Sequence, residues 1–449
     1  MNGLKLLEKA FRLEELERVP WVPFVGVHGG RLIGVDAESY LKHTENLVSG
    51  ISKSVELYRP DGIPVAFDLQ IEAEILGCKL VWSKDNPPAV VSHPLNEGTE
   101  LGALRLPNEA DGRIPLVLDA AKILREKFPE IALYGLITGP FTLALHLLGT
   151  DIFMKLFEDP EYVNELMEFC CQVGIKHADM LMDAGCDVIA VVDPMTSQID
   201  PLSFETFVSP FATKIFDFVR SRNKYSSFFV CGNAQQNIEV MCGCKPDNVS
   251  IDENIPLGYV KDIALSKGIS FGGNMKLTSV LLLGNEMDAG KEAVACLDQG
   301  GNKGFVLAPG CDLPMDTPVA NLQAVTEIVY DDYARQVAKE LDYKSTLEPA
   351  DLEGHLERGK AVIDIITLDS ASCAPCQYMV EAVKKAAQSF GDKVIVNEHK
   401  IKDMDGIRMM LALGVQNVPT TCINGKIKFI SQIPPRMEIV EAIEKELTE

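Results

Sequence analysis

The chain has 449 residues, of which 47% are apolar and 24% are charged, and its formal net charge at pH 7 is −23. This length and composition allow two or three globular units. The negative charge disfavours nucleic acid and anionic membranes as partners, because no basic stretch with interleaved aromatic residues offsets it. The sequence predicts neither a signal peptide nor a membrane span, and therefore a cytoplasmic protein. In that compartment twelve cysteines indicate reduced thiols, metal ligands or redox catalysts.

Eight apolar, β-branched runs recur through the first 340 residues, and segments of helical period separate them. Such alternation predicts an α/β fold, a (β/α)8 TIM barrel whose strands are buried on both faces. The long interruption at 72–125 is expected to hold a hairpin through 79–83 and 89–92. The predicted strands are 21–27, 62–67, 132–138, 187–192, 227–231, 248–252, 269–273 and 304–308.

The site of such a barrel forms where the strands end, so the residues that follow each strand are the candidates. Asp and Asn in these places also cap helices, and cysteine is often a small buried hydrophobe, so each candidate has a structural alternative. We expect the acidic and amide side chains to bind substrate. They are Asp68, Asp193, Asn233, Asp252 and Asn274.

Three segments of the barrel carry a family resemblance. They are Ile-Thr-Gly-Pro-Phe-Thr at 137–142, Asp-Pro at 193–194 followed by Pro-Leu-Ser at 201–203, and Leu-Ala-Pro-Gly-Cys at 307–311, which leads to Thr-Pro at 317–318. Residues 1–340 resemble the uroporphyrinogen decarboxylase superfamily, and within it the zinc-dependent corrinoid methyltransferases of the coenzyme M type. The resemblance implies methyl transfer between a partner corrinoid protein and a thiol or pterin acceptor.

The same resemblance implies zinc ligands at Cys231 and Cys311. Thiolates hold Zn²⁺ at neutral pH, and a metal-bound substrate thiol ionises to become the methyl acceptor. The histidine that precedes the first cysteine in this family is replaced by Phe229. His28 is the expected replacement ligand, with Glu72, Glu74 or Asp193 as oxygen donors behind it, and the alternative for His28 is a hydrogen bond within its own turn.

Two other readings of the barrel stay open. It is either a metal-free barrel that binds a corrinoid, a tetrapyrrole or a partner protein, with the dithiol at the end of the chain as the only active centre, or a decarboxylase of the same superfamily. The decarboxylase ranks last because a polyanionic substrate requires several arginines at the mouth and only Arg31 is near. The sequence leaves the oligomeric state open, a homo-oligomer included.

The end of the chain carries Cys373-Ala-Pro-Cys376 between an apolar run and Val418-Pro419. Residues 359–449 resemble a small thioredoxin-like α/β domain, joined to the barrel by a charged linker at 341–358. A thiol at a helix N-terminus ionises readily, so Cys373 is the expected attacking thiolate and Cys376 the buried resolving thiol. Pro419 is expected to follow a cis peptide bond beside them.

The joining of the two units motivates a hypothesis about the dithiol. A tethered dithiol would supply reductant at high effective concentration to Cys231 and Cys311, or to a thiol substrate that oxidises. The chain is therefore predicted to be a methyltransferase of anaerobic metabolism whose thioredoxin-like domain is a redox centre.

Overall fold

A computed structural model of the chain describes residues 2–341, 348–352, 360–371 and 373–448. Within these ranges the barrel sheet has seven parallel strands, in the order β1, β4, β5, β6, β7, β8, β9. They occupy the runs predicted for the second to eighth strands. The strands of the described residues are β1 Gly62–Pro64, β2 Leu80–Val81, β3 Ala89–Val90, β4 Ala132–Thr138, β5 Val188–Val192, β6 Tyr225–Val230, β7 Asn248–Ile251, β8 Ser270–Met275, β9 Phe305–Pro309, β10 Ala361–Thr367, β11 Val394–Lys400, β12 Thr420–Ile423 and β13 Lys426–Ile430.

The first predicted strand, 21–27, is wrong as a regular strand. Only Trp21 forms a bridge, parallel to Leu307. The backbone N–H of Val22 donates to the Leu307 carbonyl at 2.9 Å, and Trp21 accepts from the Asp61 N–H at 2.9 Å. The segment therefore lies between β9 and β1 and closes the barrel. Pro23 has no N–H to donate, and the ladder stops there.

Helices alternate with the strands and surround the barrel. Local sequence signals mark where these helices begin. At the longest helix, for example, the Asp159 carboxylate accepts from the Tyr162 N–H at 3.3 Å, and Pro160 occupies the first turn. The α-helices are α1 Gly3–Phe11, α2 His28–Ile33, α3 Ala37–Leu41, α4 Thr44–Tyr58, α5 Ile71–Ile75, α6 Ile114–Lys127, α7 Pro140–Leu148, α8 Ile152–Glu158, α9 Pro160–Asp183, α10 Pro201–Phe207, α11 Ser209–Ser221, α12 Ile238–Gly243, α13 Leu257–Ser266, α14 Glu286–Gly300, α15 Val319–Tyr330, α16 Asp332–Glu340, α17 Ala374–Ala387, α18 Met404–Ala412 and α19 Arg436–Thr448.

Two features of the barrel's periphery bear on the site and on membrane association. Strands β2 and β3 pair antiparallel, Leu80 with Val90 and Val81 with Ala89, which confirms the predicted hairpin. Among the described residues one helical segment, Pro140–Glu158, is long and apolar enough to cross a bilayer, yet 67% of its apolar window is buried inside the protein. That burial is typical of a core helix.

The C-terminal unit has a four-stranded sheet in the order β11, β10, β12, β13. Strands β10 and β11 are parallel, while β12 runs antiparallel to β10 and β13 to β12. Helices α17 and α19 pack on its apolar core. The predicted thioredoxin-like order of strands and helices is thereby confirmed. The predicted linker 341–358 falls largely outside the described residues.

Candidate functional site

A single cavity lies at the carboxyl ends of the barrel strands, and the C-terminal unit forms part of its wall. From the barrel, its lining includes Phe67, Thr142, His146, Cys231, Asp252, Glu253, Cys311 and Asp312; from the C-terminal unit, it includes Leu368, Asp369, Cys373, Pro375, Lys402 and Pro419. The barrel site and the dithiol motif therefore line the same cavity.

Cys231 and Cys311 meet in this cavity although 80 positions separate them. Cys231 directly follows β6, and Cys311 follows β9 after one glycine. Their Sγ atoms are 2.7 Å apart, at hydrogen-bonding contact, and both side chains are half-buried free thiols. The hydrogen bond to Cys311, together with burial, raises the pKa of the Cys231 thiol well above its ordinary value. Without a cation nearby, the Cys231 thiol therefore stays neutral.

An aromatic plug lies directly beneath the cysteine pair. Phe229 is buried in the barrel interior, with its ring centroid 5.1 Å from that of Phe24 and 6.0 Å from that of Phe67. The two cysteines pack against this cluster. As the alternation along β6 predicts, a phenyl ring occupies the place of an imidazole.

His28 lies elsewhere, and the expectation that it replaces the missing ligand is not supported. It begins α2 instead of ending a strand. Its Nδ1 is 3.0 Å from the Met315 carbonyl and its Nε2 is 2.7 Å from the Tyr58 hydroxyl. Both ring nitrogens are thus engaged, and burial lowers the pKa of His28 to about 4. The imidazole stays neutral and structural.

The three oxygen donors expected behind His28 are also engaged in the protein. Glu72 is buried, with one oxygen 2.8 Å from His177 Nδ1 and the other accepting from Thr138. Glu74 accepts from Arg113 at 2.8 Å. Asp193 accepts from the backbone N–H groups of Phe141 and Thr142 and caps α7.

Asp312 is an acidic group of the cavity that the sequence candidates left out. Its Oδ1 atom is buried and has no hydrogen-bond partner among the described residues. Burial raises the pKa of this carboxyl well above its ordinary value. A buried polar oxygen without a partner is costly, and a ligand or ion that reached it would relieve that cost. Its position directly after Cys311 is the signal that would have found it.

Asp252 and Glu253 bring further acidic groups to the cavity wall. Asp252 accepts from the Gly232 N–H at 2.9 Å and from Asn254. Glu253 accepts from the Leu277 N–H, and burial and the neighbouring Asp252 raise its pKa to about 8. Glu253 is therefore largely protonated at pH 7 and offers the cavity a neutral carboxylic acid. Of the five predicted substrate-binding residues, Asp252 is the one that lines the cavity.

The other predicted substrate residues support the walls. Asp68 is buried in an ion pair with Arg113, and Asn274 donates to the carbonyls of Asp252 and Ile255 at 3.1 and 2.7 Å. Asn233 lies two positions beyond Cys231, outside the residues that line the cavity. Within the described chain, no group of three or more His, Cys, Asp or Glu side chains is arranged to hold a metal ion.

The dithiol motif lies at the start of α17. Cys373 precedes its first residue and Cys376 is in its first turn, buried; the two form a disulfide. The Val418–Pro419 bond is cis, and Pro419 lines the cavity with Cys373. The Leu368 N–H lies 3.4 Å from the Cys376 sulfur. Cys373 is thus the cavity-facing member of the pair.

Specific contacts hold the C-terminal unit over the barrel mouth. Asn86, at the tip of the β2–β3 hairpin, donates to Asp369 at 3.1 Å and accepts from Lys402 at 3.4 Å. On the other side, Gln198 donates to the Ser431 carbonyl at 2.7 Å. Tyr378 on α17 is 3% exposed and belongs to the main core cluster of the barrel.

Comparison with known proteins agrees with this architecture. Residues 3–331 match the uroporphyrinogen decarboxylase (URO-D) family and residues 362–444 match the thioredoxin domain. Relatives include the methylcobamide:CoM methyltransferase MtbA of Methanosarcina acetivorans, 30% identical over 60% of this chain and 78% of that protein. Another is the uroporphyrinogen decarboxylase of Geobacter sulfurreducens, 24% identical over 62% of this chain and 82% of that protein.

A solved structure extends the comparison to the fold. A methyltransferase from Methanosarcina mazei superposes with a TM-score of 0.67 at 26% identity, covering 75% of this chain and 98% of that one. The predicted domains, 1–340 and 359–449, enclose the two matched ranges. The chain therefore belongs to the uroporphyrinogen decarboxylase family, close to its methylcobamide:CoM methyltransferases, and carries a thioredoxin domain at its C-terminal end.

Proposed function

We propose that the chain is a corrinoid-dependent methyltransferase, which moves a methyl group between a partner corrinoid protein and a thiol or pterin acceptor at Cys231 and Cys311. The observation that carries the proposal is the 2.7 Å contact of these two sulfurs in the cavity at the barrel mouth. Relatives whose names describe methyl transfer between a methylcobamide and CoM support the same reaction class. In this proposal residues 1–340 form the methyltransferase, 341–358 link it to 359–449, and the protein is cytoplasmic.

A zinc ion at this site would be held by Cys231 and Cys311, beside which the described residues gather no third ligand in the structure. The two sulfurs are the soft donors that zinc prefers. Bound zinc would lower the pKa of an acceptor thiol in its open position, so that the thiol ionises at neutral pH.

The remaining residues of the cavity prepare the acceptor for transfer. The plug formed by Phe24, Phe67 and Phe229 closes the bottom of the site to water, which favours a reactive, poorly solvated sulfur. Glu253, neutral at pH 7, can donate a hydrogen bond to a polar group of the acceptor. Asp252 holds the Gly232 backbone beside Cys231 at 2.9 Å and so positions that ligand.

The test measures metal content and methyl transfer on the full chain. We expect wild type to bind about one zinc and to transfer methyl from methylcobalamin to coenzyme M. Cys231→Ser and Cys311→Ser should each lose the zinc and slow the transfer by roughly 100-fold or more, because a ligand is removed. Cys242→Ser is the matched control, since Cys242 is a buried barrel thiol that does not line the cavity.

The proposal fails if both serine variants keep wild-type zinc and wild-type rates.

A second candidate, a metal-free barrel that binds a corrinoid or tetrapyrrole, is favoured by Phe229 in place of the histidine and by the lack of three gathered ligands among the described residues. It predicts no bound metal, but saturable corrinoid binding. A decarboxylase ranks below both, because Arg31 pairs with Asp316 and Arg113 with Asp68.

A further inference from the structure

We propose that Cys231 and Cys311 form a reversible disulfide, and that this disulfide is the substrate of the Cys373–Cys376 dithiol in the same chain. The C-terminal unit would then be an intramolecular disulfide reductase dedicated to the barrel site. This activity deepens the proposed function, whose two sulfurs it keeps reduced, but its chemistry requires neither metal nor corrinoid.

The barrel pair is already close to bonding distance. Its sulfurs are 2.7 Å apart, and a disulfide requires about 2.05 Å, so a displacement of less than about 1 Å would close the bond. Both side chains are half-buried and open to the cavity, so a small oxidant can reach them. The other barrel cysteines of the described residues are buried and line no part of it.

The second dithiol opens onto the same cavity. Cys373, Pro375 and Pro419 line it together with Cys231 and Cys311, so the attacking thiol and its target line one cavity.

Hydrogen bonds between the barrel and the C-terminal unit hold the two dithiols at one cavity and leave Cys373 open to it. Asn86 contacts Asp369 and Lys402 on one side of the cavity, while Gln377 of α17 donates to the Val90 carbonyl at 3.2 Å. These contacts place the start of α17 at the barrel mouth. A tethered and docked dithiol reaches an effective concentration far above that of a free reductase.

The exchange balances in two steps. The Cys373 thiolate attacks one sulfur of the Cys231–Cys311 disulfide; a mixed disulfide forms, the barrel bond breaks, and the released barrel sulfur takes up a proton. The Cys376 thiolate then attacks Cys373, which closes the Cys373–Cys376 disulfide and releases the second barrel thiol. Two electrons pass to the barrel. A peroxide-class oxidant forms the barrel disulfide, and an external dithiol reductant restores Cys373 and Cys376.

The experiment maps disulfides in the full chain. Reduced and desalted protein receives one equivalent of hydrogen peroxide, free thiols are alkylated, and peptides are identified by mass spectrometry without reduction. We expect wild type to end with a Cys373–Cys376 disulfide and free Cys231 and Cys311. The double variant Cys373→Ser/Cys376→Ser should hold at least roughly tenfold more Cys231–Cys311 disulfide, since it lacks the tethered reductant.

A trapping variant isolates the intermediate. In Cys376→Ser the mixed disulfide cannot resolve, so a peptide joining Cys373 to Cys231 or Cys311 should accumulate within one chain. Cys242 and Cys244 are internal controls and should stay alkylated throughout. Mixing the double variant with Cys231→Ser/Cys311→Ser protein tests exchange between chains, which should be slower.

Two results would overturn the inference. One is an equal amount of barrel disulfide with and without Cys373 and Cys376; the other is a Cys376→Ser protein whose Cys373 links only to other chains. Neither measurement involves zinc or methyl transfer. Loss of the relay therefore leaves the methyltransferase proposal standing, and loss of methyl transfer leaves the relay testable.

Discussion

Asp193 has a structural role in the barrel, because its carboxylate accepts hydrogen bonds at the start of α7. It accepts from the backbone N–H groups of Phe141 and Thr142 at 3.1 and 2.8 Å and from the Thr142 hydroxyl at 2.6 Å. These bonds satisfy donors at the start of α7 that would otherwise lack partners. Burial nevertheless raises the pKa of Asp193 from 3.8 to about 6, so folding disfavours its ionised form.

The raised pKa of Asp193 predicts that the free energy of unfolding decreases as pH rises. Because the folded pKa lies above the unfolded one, the contribution of Asp193 is fully present below about pH 4 and is lost as pH rises to about 6. The wild-type free energy of unfolding should fall by about 3 kcal/mol across this window from this group alone. In Asp193→Asn that part of the pH dependence should vanish, as urea unfolding at pH 4, 5, 6 and 7 would measure.

Asp200→Asn is the matched control, because Asp200 also caps a helix, α10, by accepting from Leu202 and Ser203. Its hydrogen bonds with Ser203 lower the pKa of Asp200, so its contribution is lost as pH falls instead. Identical slopes for wild type and Asp193→Asn between pH 4 and 6 would contradict the prediction.

The β2–β3 hairpin of the barrel contacts the C-terminal unit. Its tip residue Asn86 contacts two charged groups of that unit, Asp369 and Lys402. Hydrogen bonds to charged partners stabilise by about 1.5–3 kcal/mol each where water is excluded, and less where one partner is part-exposed. The hairpin therefore acts as a clamp on the docked unit.

Asn86→Ala should loosen this clamp. We expect docking to weaken by about 1–2 kcal/mol, which raises amide exchange in residues 368–371 and 373–376 by roughly 5- to 30-fold. Hydrogen exchange read by mass spectrometry measures the change. Asn108→Ala is the control, because Asn108 lies in the same insertion and its side chain bonds locally to the Ala110 N–H; equal exchange in both variants would count against the clamp.

At the scale of the whole molecule, the two units share buried surface as well as a cavity. Tyr378 of α17 is 3% exposed and packs within the barrel's core cluster, and its ring centroid lies 6.2 Å from that of His93. A buried aromatic side chain of this size contributes about 3 kcal/mol or more to the packing that it completes. Tyr378 is therefore the main apolar anchor of the docked state.

Tyr378→Ala should release the C-terminal unit from the barrel mouth. We expect faster amide exchange in residues 310–315 as well as in 368–371 and 373–376, with little change in strands β4–β6, because the docking interface opens while the barrel stays folded. Tyr378→Phe keeps the ring and should behave like wild type. If exchange at 310–315 is the same in Tyr378→Ala, Tyr378 does not anchor the units.

Local signals in the sequence determined the two folds and their order. The β-branched runs, the helix caps and the Cys-Ala-Pro-Cys motif act over a few neighbouring residues, so seven barrel strands and the whole thioredoxin-like order follow from them. The first predicted barrel strand is cut short for a local reason as well, since Pro23 has no N–H to donate and the pairing with Leu307 goes no further.

Only the tertiary structure decided which side chains are available for chemistry. Asp68, Asp193 and His28 follow strand or barrel-closing segments as active residues do, but partners distant in sequence, Arg113, Thr142 and Tyr58, engage them. Asp312 instead lines the cavity and keeps a buried oxygen with no hydrogen-bond partner among the described residues. Hydrogen bonding and packing between distant segments decide which of these side chains are free to react. The same kind of contact docks the C-terminal unit and brings Cys373 into the cavity of Cys231 and Cys311. No local sequence pattern encodes contacts that form only when the chain is folded.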